Sequence, residues 1–221
     1  MSSPPKSKVA WFTTFWVTIG VVLILFALVL AWCFRVPNGA RGAKYLAINN
    51  GKQLYTALFC YARDHDGMYP NEQTAMAEFG ESGDTAEACF TQLLNAGVID
   101  DEEAFWSKKN IVLGTVSAET PDNDGTLTAG ENAWGYVRGL TSEDSTDTPI
   151  LFDSSMVAGE FSNRVWEGKA LVARLNGSVL MMDISPADKP VGLVLEERDG
   201  SRVNIFKNLP EGAVILVPGL E

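Results

Sequence analysis

The feature that most constrains this chain is a run of 26 residues without a charged side chain, Val9–Phe34. At about 1.5 Å of rise per residue, a helix of this length spans a hydrocarbon core of roughly 30 Å. Aromatic residues lie near both ends of the run, as in the interfacial belts of membrane proteins. The alternative is a cleaved signal peptide, but its apolar region usually has only about 7–15 residues. We therefore predict a retained transmembrane helix over residues 9–34, with the lipid bilayer as its partner.

The rest of the chain differs from this segment in being strongly acidic. All 28 Asp and Glu residues follow Phe34, and residues 37–221 carry 14 Lys and Arg, which leaves a net charge of −14. Nucleic-acid binding requires clusters of basic side chains that neutralise phosphates, so an acidic domain of this kind predicts no nucleic-acid partner. Lys and Arg occur on both flanks of the apolar run, so the positive-inside rule leaves the membrane orientation open.

Changes in composition along the chain predict four regions: a polar tail (1–8), the transmembrane helix (9–34), a hinge (35–42) and a globular domain (43–221). The hinge contains a proline and two glycines, which interrupt helices. A second helix is predicted from about Ala43 to Arg63, because apolar residues recur there at spacings of three and four. Its predicted inner face consists of Ala47, Gly51, Leu54, Leu58 and Tyr61.

Further along the chain, the pattern predicts one shorter helix and then strands. The helix is expected over Thr85–Ala96, with Asp84 as its cap and Gly97 after its end. From about Asn110, short apolar segments alternate with turns, and Asn176-Gly177 and Asp199-Gly200 mark hairpins. We therefore predict an α+β fold: a transmembrane helix, an amphipathic spine helix and a mostly antiparallel sheet.

The residues that usually carry catalysis are sparse. The chain has one histidine, His65, which lies in the turn Asp64–Gly67 after the second helix. Nucleophilic catalysis needs a general base, and zinc binding needs several converging His or Cys ligands. No glycine-rich phosphate loop follows a strand. We therefore predict no catalytic residue and no organic cofactor. Cys60 and Cys89 either form a disulfide or remain two separate thiols.

One acidic loop has the ligand spacing of a calcium site. The twelve residues TPDNDGTLTAGE (Thr120–Glu131) place Asp122, Asp124 and Glu131 at positions where a calcium loop has oxygen ligands. The loop departs from an EF-hand, because Thr120 occupies the first position and the flanks predict no helix pair. The alternative is an Asn-Asp-Gly turn that needs no metal.

Two motifs give the chain a resemblance to a known family. The stretch NNGKQLYTALFCYARDHDGMYP after the apolar segment, together with the NGSV hairpin at residues 176–179, resembles type IV pilin-like and type II secretion pseudopilin-like proteins of bacteria. The matching positions of the first motif are Asn49 or Asn50, Gln53, Leu54, Ala57, Tyr61, Asp64, Gly67 and Pro70.

The resemblance implies a non-enzymatic protein in the bacterial inner membrane, with a pilin-like domain on the periplasmic side. The role that it implies is a structural one or one in protein interaction, with other pilin-like subunits of a type II secretion system or type IV pilus as the implied partners. A calcium-bound loop is also implied by the secretion pseudopilins. The chain departs from the family at the peptidase site, because Gly20 is followed by Val21 and no glutamate lies in the apolar segment. Alternatives are a calcium-binding adhesive or sensing domain and a membrane-anchored enzyme dependent on His65.

Overall fold

The computed structural model of this chain describes residues 15–26, 40–80, 82–106, 121–153, 156–157, 160–189 and 191–219. Helices precede an antiparallel, curled sheet, so the predicted α+β class is confirmed. The chain divides between Ala43 and Lys44 into two units, which are described separately.

In the first unit, residues 15–26 form a helix, α1. Its large apolar side chains, including Trp16, Val22 and Phe26, are exposed. Among the described residues, no helix combines the length and the apolar character needed to cross a membrane. Three parts of the prediction lie outside the described residues: the polar tail (1–8), both ends of the transmembrane helix (9–14 and 27–34) and the first part of the hinge (35–39).

Helix α2 (Ala40–Asp64) is the longest element of the described chain and begins within the range predicted as a hinge, 35–42. Its buried face repeats at intervals of three and four residues, as expected for a helix that packs on a core. Gly51 allows close contact with the sheet, since a Cβ there would lie 3.0 Å from the Trp134 ring. The predicted inner face is confirmed, with Ala47, Gly51, Leu54, Leu58 and Tyr61 all buried.

Three short helices follow: α3 (Glu72–Glu78), α4 (Ala86–Asn95) and the 3₁₀ helix η1 (Glu102–Phe105). The structure corrects the predicted cap of α4, because Thr85 rather than Asp84 accepts the hydrogen bond from the Ala88 amide. Asp84 instead accepts from the Ser82 hydroxyl. Gly97, with a φ of 63°, ends α4 as predicted.

The described strands are β1 (Trp134–Arg138), β2 (Pro149–Asp153), β3 (Met156–Val157), β4 (Glu160–Ser162), β5 (Lys169–Arg174), β6 (Val179–Ser185), β7 (Val191–Arg198), β8 (Ser201–Asn204) and β9 (Val214–Leu216). They form one sheet in the order β3-β4-β7-β6-β5-β2-β1-β9, with β8 paired to β7, and all these pairings are antiparallel. The predicted strand at 110–116 lies outside the described residues.

Both predicted hairpins are present, but their turns differ. Asp199 and Gly200 have φ of 50° and 73° and form a two-residue turn between β7 and β8. At the β5–β6 turn only Gly177 has a positive φ, 79°, and the Arg174 amide donates to the Ser178 carbonyl. This longer turn packs against α2, where the Tyr55 hydroxyl donates to the Leu175 carbonyl at 2.6 Å.

Candidate functional site

The acidic loop after residue 120 is organised around a glutamate from η1. Glu102 is only 1% exposed. Its two carboxylate oxygens accept hydrogen bonds from the backbone amides of Asn123 and Gly125, each at 2.7 Å. In return, the Asn123 side chain accepts from the Glu102 amide at 3.3 Å. Asn123 and Gly125 have φ of 59° and 92°, so both amides turn inward to reach this carboxylate.

Two of the three sequence-predicted metal ligands lie beside Glu102. Carboxylate oxygens of Glu102, Asp122 and Asp124 all lie within 4.8 Å of one another. Calcium takes six to eight oxygen ligands at about 2.3–2.6 Å, so three converging carboxylates would provide part of such a ligand set. The three residues can therefore hold a hard divalent cation.

The two aspartates also shape the loop by local hydrogen bonds. Asp122 accepts from the Asp124 amide at 3.2 Å, and Asp124 accepts from the amide and the hydroxyl of Thr126 at 2.8 and 2.6 Å. The Thr126 side chain, and secondarily its amide, lower the pKa of Asp124. Within the described residues, these bonds use one oxygen of each aspartate.

Glu131, the third predicted ligand, is not part of this cluster. Its side chain is 4% exposed, and one carboxylate oxygen accepts from the amide and the hydroxyl of Thr128 at 2.7 and 2.8 Å. Glu131 therefore closes its own turn, and Glu102 provides the third carboxylate of the cluster. The linear spacing could not identify Glu102, which precedes Asp122 by twenty residues.

A further buried glutamate ties the C-terminal region to α4. Glu87 is 6% exposed and accepts from the Gly219 amide at 2.7 Å and from the Asn132 side chain at 3.3 Å. None of the ion pairs between described residues includes Glu87, Glu102 or Glu131. The region around residues 121–133 thus buries three carboxylates that accept hydrogen bonds from neutral donors, and only Glu102 among them belongs to the cluster with Asp122 and Asp124.

His65 is engaged at the junction of α2 and α3. Its Nδ1 lies 2.6 Å from the Tyr61 carbonyl oxygen, and its Nε2 lies 2.6 Å from Glu78 Oε1. The imidazole also stacks on the Tyr61 ring, with centroids 3.7 Å apart. The Tyr61 hydroxyl donates to Gln92 of α4 at 3.0 Å, and burial raises the pKa of this tyrosine. The arrangement joins the ends of three helices.

The two cysteines of the described chain are separate thiols. Cys89 is buried and donates to the Gly83 carbonyl at 3.3 Å. Burial raises its pKa to about 12, so the thiolate that reacts as a nucleophile is scarce. Cys60 is partly exposed on α2.

Comparison with protein-family models, with curated proteins and with solved structures found no significant match for this chain.

Proposed function

We propose that this chain is a non-enzymatic, single-pass membrane protein with a structural or protein-interaction role at the cell envelope. In this proposal residues 9–34 anchor the chain in the bacterial inner membrane. Residues 43–221 form a pilin-like domain on the periplasmic side, linked to a type II secretion system or type IV pilus as an atypical subunit or an uncleaved accessory protein.

The observation that carries the anchor is the surface of α1. Large apolar side chains from Phe15 to Phe26 are exposed on this helix, and the segment has no charged residue. A helix that is apolar on every side is stable in lipid or in a protein core, whereas water opposes it. The uncharged sequence on both sides of α1 extends the same character over residues 9–34.

The pilin-like interpretation is supported by the packing of α2. This helix has 25 residues and lies with one face against the sheet, where Gly51 approaches Trp134 and Val179. A long helix that follows an apolar segment and packs on an antiparallel sheet agrees with the arrangement that the resemblance implies. Away from the sheet, α2 also exposes Tyr45, Leu46 and Phe59, which leaves apolar surface for contacts with other proteins.

A non-enzymatic role is supported by the contacts of His65. Both ring nitrogens meet oxygen atoms of the helix ends, and the ring face is covered by Tyr61. A general base must reach the proton that it removes from a substrate. The contacts of His65 instead serve the joint between α2 and α3.

The anchor is tested by alkaline carbonate extraction of membranes from the native host. We expect the full chain to stay in the membrane pellet and its domain to be cleaved by protease added to spheroplasts. A matched pair of variants, Val21→Lys/Ile24→Lys and Val21→Leu/Ile24→Leu, separates charge from substitution, because a central lysine costs about 2.5–3.5 kcal/mol on insertion. Extraction of the unmodified chain into the supernatant contradicts the proposal.

The cluster of Glu102, Asp122 and Asp124 favours a second candidate function, a calcium-binding adhesive or sensing domain on the same anchor. A cation that binds only the folded chain raises its melting temperature. We expect millimolar Ca²⁺ to raise the melting temperature of the native chain and chelator to reverse the rise. The Asp122→Asn/Asp124→Asn variant should lose this response, and Asp188→Asn/Asp199→Asn should keep it. A melting temperature that Ca²⁺ does not move contradicts this candidate.

A further inference from the structure

At the start of the second unit, helix α2 exposes two large apolar side chains beside two lysines. Tyr45 is 71% exposed and Leu46 is 59% exposed. Asn49 and Lys52 follow as exposed residues, and Lys44 is partly exposed. We call these five residues the α2 patch. An aromatic ring, an aliphatic side chain and two ammonium groups thus share one end of the helix.

Charge is distributed unevenly along the chain, and the α2 patch lies in its basic part. Residues 35–63 contain five basic side chains and no acidic one, whereas residues 64–221 contain all 28 acidic side chains and only ten basic ones. Among the described residues, no ion pair includes Lys44 or Lys52, although Asp101 lines a cleft together with Lys52. The two lysines are therefore available to a negatively charged partner.

Contacts with the rest of the domain hold α2 in an orientation that keeps the patch exposed. The Asn50 side chain donates a hydrogen bond to the Glu103 carbonyl at 3.4 Å, and the Tyr55 hydroxyl donates to the Leu175 carbonyl at 2.6 Å. A rotation of the helix that buried its exposed side would break both bonds. The patch is therefore preorganised for a partner outside the domain, which reduces the ordering cost of binding.

In the proposed function residues 9–34 are an anchor, and this anchor ends close to the α2 patch in the sequence. Lys44 follows Phe34 by ten residues. Even a fully extended chain of this length spans only about 35 Å. A bilayer that holds the anchor is therefore always within reach of the patch, and the short connection gives the contact a high effective concentration.

The side chains of the patch match the chemistry of a bilayer surface. Tyrosine is enriched at membrane interfaces, where its amphipathic ring lies among the headgroups. Basic side chains near a membrane-spanning segment are attracted to anionic lipids over about one Debye length, roughly 8–10 Å at physiological salt. The acidic residues elsewhere in the domain are repelled by the same surface, so charge also favours the orientation in which the patch faces the lipid. An acidic protein would offer the same charge, but it is not tethered to the patch by ten residues.

We propose that the α2 patch binds the surface of the bilayer, with a preference for anionic lipids. Tyr45 and Leu46 enter the headgroup region, and Lys44 and Lys52 pair with lipid phosphates. Phe59, further along α2, remains exposed for contacts with proteins. The inference rests on the proposed anchor and adds the class of lipid that the domain recognises.

The test uses the full chain in lipid nanodiscs, with the photoreactive residue p-benzoylphenylalanine in place of Asn49. One set of discs contains phosphatidylcholine alone, and the other contains equal parts of phosphatidylcholine and phosphatidylglycerol. After illumination, mass spectrometry identifies the molecule attached at this position. We expect lipid adducts whose yield is higher in the anionic discs and falls at high salt. The same replacement at Met76, which is exposed on α3, is the positional control and should give few lipid adducts.

A pair of variants separates local charge from net charge. Lys44→Gln/Lys52→Gln should lower the excess of lipid adducts in the anionic discs by about fivefold for each lysine that is removed. Lys189→Gln/Lys207→Gln removes the same charge from exposed positions elsewhere and should leave the excess unchanged.

A second pair of variants tests the apolar side chains of the patch. Tyr45→Ser/Leu46→Ser should lower the yield of lipid adducts in both kinds of disc, because these side chains supply the apolar area that enters the headgroup region. Met76→Ser/Leu180→Ser removes two apolar side chains that are exposed elsewhere and should leave the yield unchanged.

Three results overturn the inference. The first is an equal yield of lipid adducts in the two kinds of disc, which indicates proximity without recognition of anionic lipid. The second is an equal loss of adducts with the two lysine pairs, which indicates attraction by net charge alone. The third is a crosslink to a second copy of the chain in place of lipid. Incorporation into the discs is scored separately: an incorporated chain without lipid adducts rejects the patch and leaves the anchor intact, whereas a chain that does not enter the discs rejects the anchor.

Discussion

His65 shows how one polar side chain can end a helix and join its neighbours. The ring contacts a carbonyl oxygen of the preceding helix α2, a carboxylate of α3 and the face of Tyr61. Its side chain is only 15% exposed, so removing the ring would leave these oxygen atoms partly desolvated. The turn Asp64–Gly67 then places Tyr69 and Pro70 in buried positions.

We expect His65→Ala to lower the free energy of unfolding by about 1–3 kcal/mol, because the Tyr61 carbonyl and the Glu78 carboxylate would each lose a hydrogen-bond partner. Chemical denaturation of the purified chain measures the change. Arg63→Ala is the control, since Arg63 forms an exposed ion pair with Asp64 and its removal should change the stability far less. Equal effects of the two substitutions would contradict the joint that we assign to His65.

Gly135 is required by the packing of β1 on Phe152. A Cβ at this position would lie 1.9 Å from a carbon of the Phe152 ring, too close for any real contact. We expect Gly135→Ala to destabilise the chain by about 1–3 kcal/mol or more through overpacking. The added variant Phe152→Leu should recover part of the loss, as measured by thermal unfolding. If Gly135→Ala alone has no effect, the described contact is wrong.

At the residue scale, the sequence allowed part of the candidate site to be predicted. Asp122 and Asp124 stand out because Asp-rich turns with glycine have a local signature. Glu102 has no such signature, since its role depends on a tertiary contact with the amides of Asn123 and Gly125. Glu131 fits the linear spacing of a ligand but bonds within its own turn.

At the scale of elements, long periodic patterns were predictable and short ones were not. Helix α2 repeats its buried face over about four turns, from Ala47 to Tyr61, and each of the two predicted hairpins has an Xaa-Gly turn, so both kinds of element have strong local signals. Helix α3 has seven residues, too few to establish a period, although Asn71 caps it through the amides of Gln73 and Thr74. The short strands β3 and β4 are likewise defined by their pairing with each other and with β7.

The elements β2, β5 and β7 are connected by a largely buried arginine. Arg174 at the end of β5 lies 2.9 Å from Glu196 of β7 and 3.9 Å from Asp147, just before β2. Burial opposes ionisation of Glu196, but hydrogen bonds and charge from Arg174, and then from Arg198, outweigh it and lower the pKa of Glu196. The ionised carboxylate therefore stabilises the folded chain.

The Arg174–Glu196 ion pair should make the free energy of unfolding depend on pH in the acid range. The pKa of Glu196 is lower in the folded chain than in the unfolded chain. The stabilisation that its ionised carboxylate gives the folded chain is therefore fully present above about pH 5.5, and it is lost as the pH falls through the lowered pKa. Glu196→Gln should cost about 1 kcal/mol at pH 7 and lose less stability than the native chain on acidification. The exposed neighbour Glu197 provides the control Glu197→Gln. Parallel pH profiles for the native chain and Glu196→Gln would contradict the assignment.

At the scale of the whole molecule, the sequence contains two segments whose compositions suit different solvents. The uncharged run Val9–Phe34 suits lipid, and the acidic residues 37–221 suit water. We propose that the first is a permanent anchor, because Gly20 is followed by Val21 and no glutamate lies in the apolar segment, unlike the processed pilins that the chain resembles. If this anchor is present, it would keep the α+β domain at the membrane, with the exposed side of α2 available to the partners that we propose.

The most direct test of this account is the intact mass and N-terminal sequence of the chain purified from its native membrane. We expect an uncut chain that begins at Met1 or Ser2 and retains residues 9–34. A chain that begins within residues 9–34 would contradict the permanent anchor and would favour processing and assembly into a pilus-like fibre.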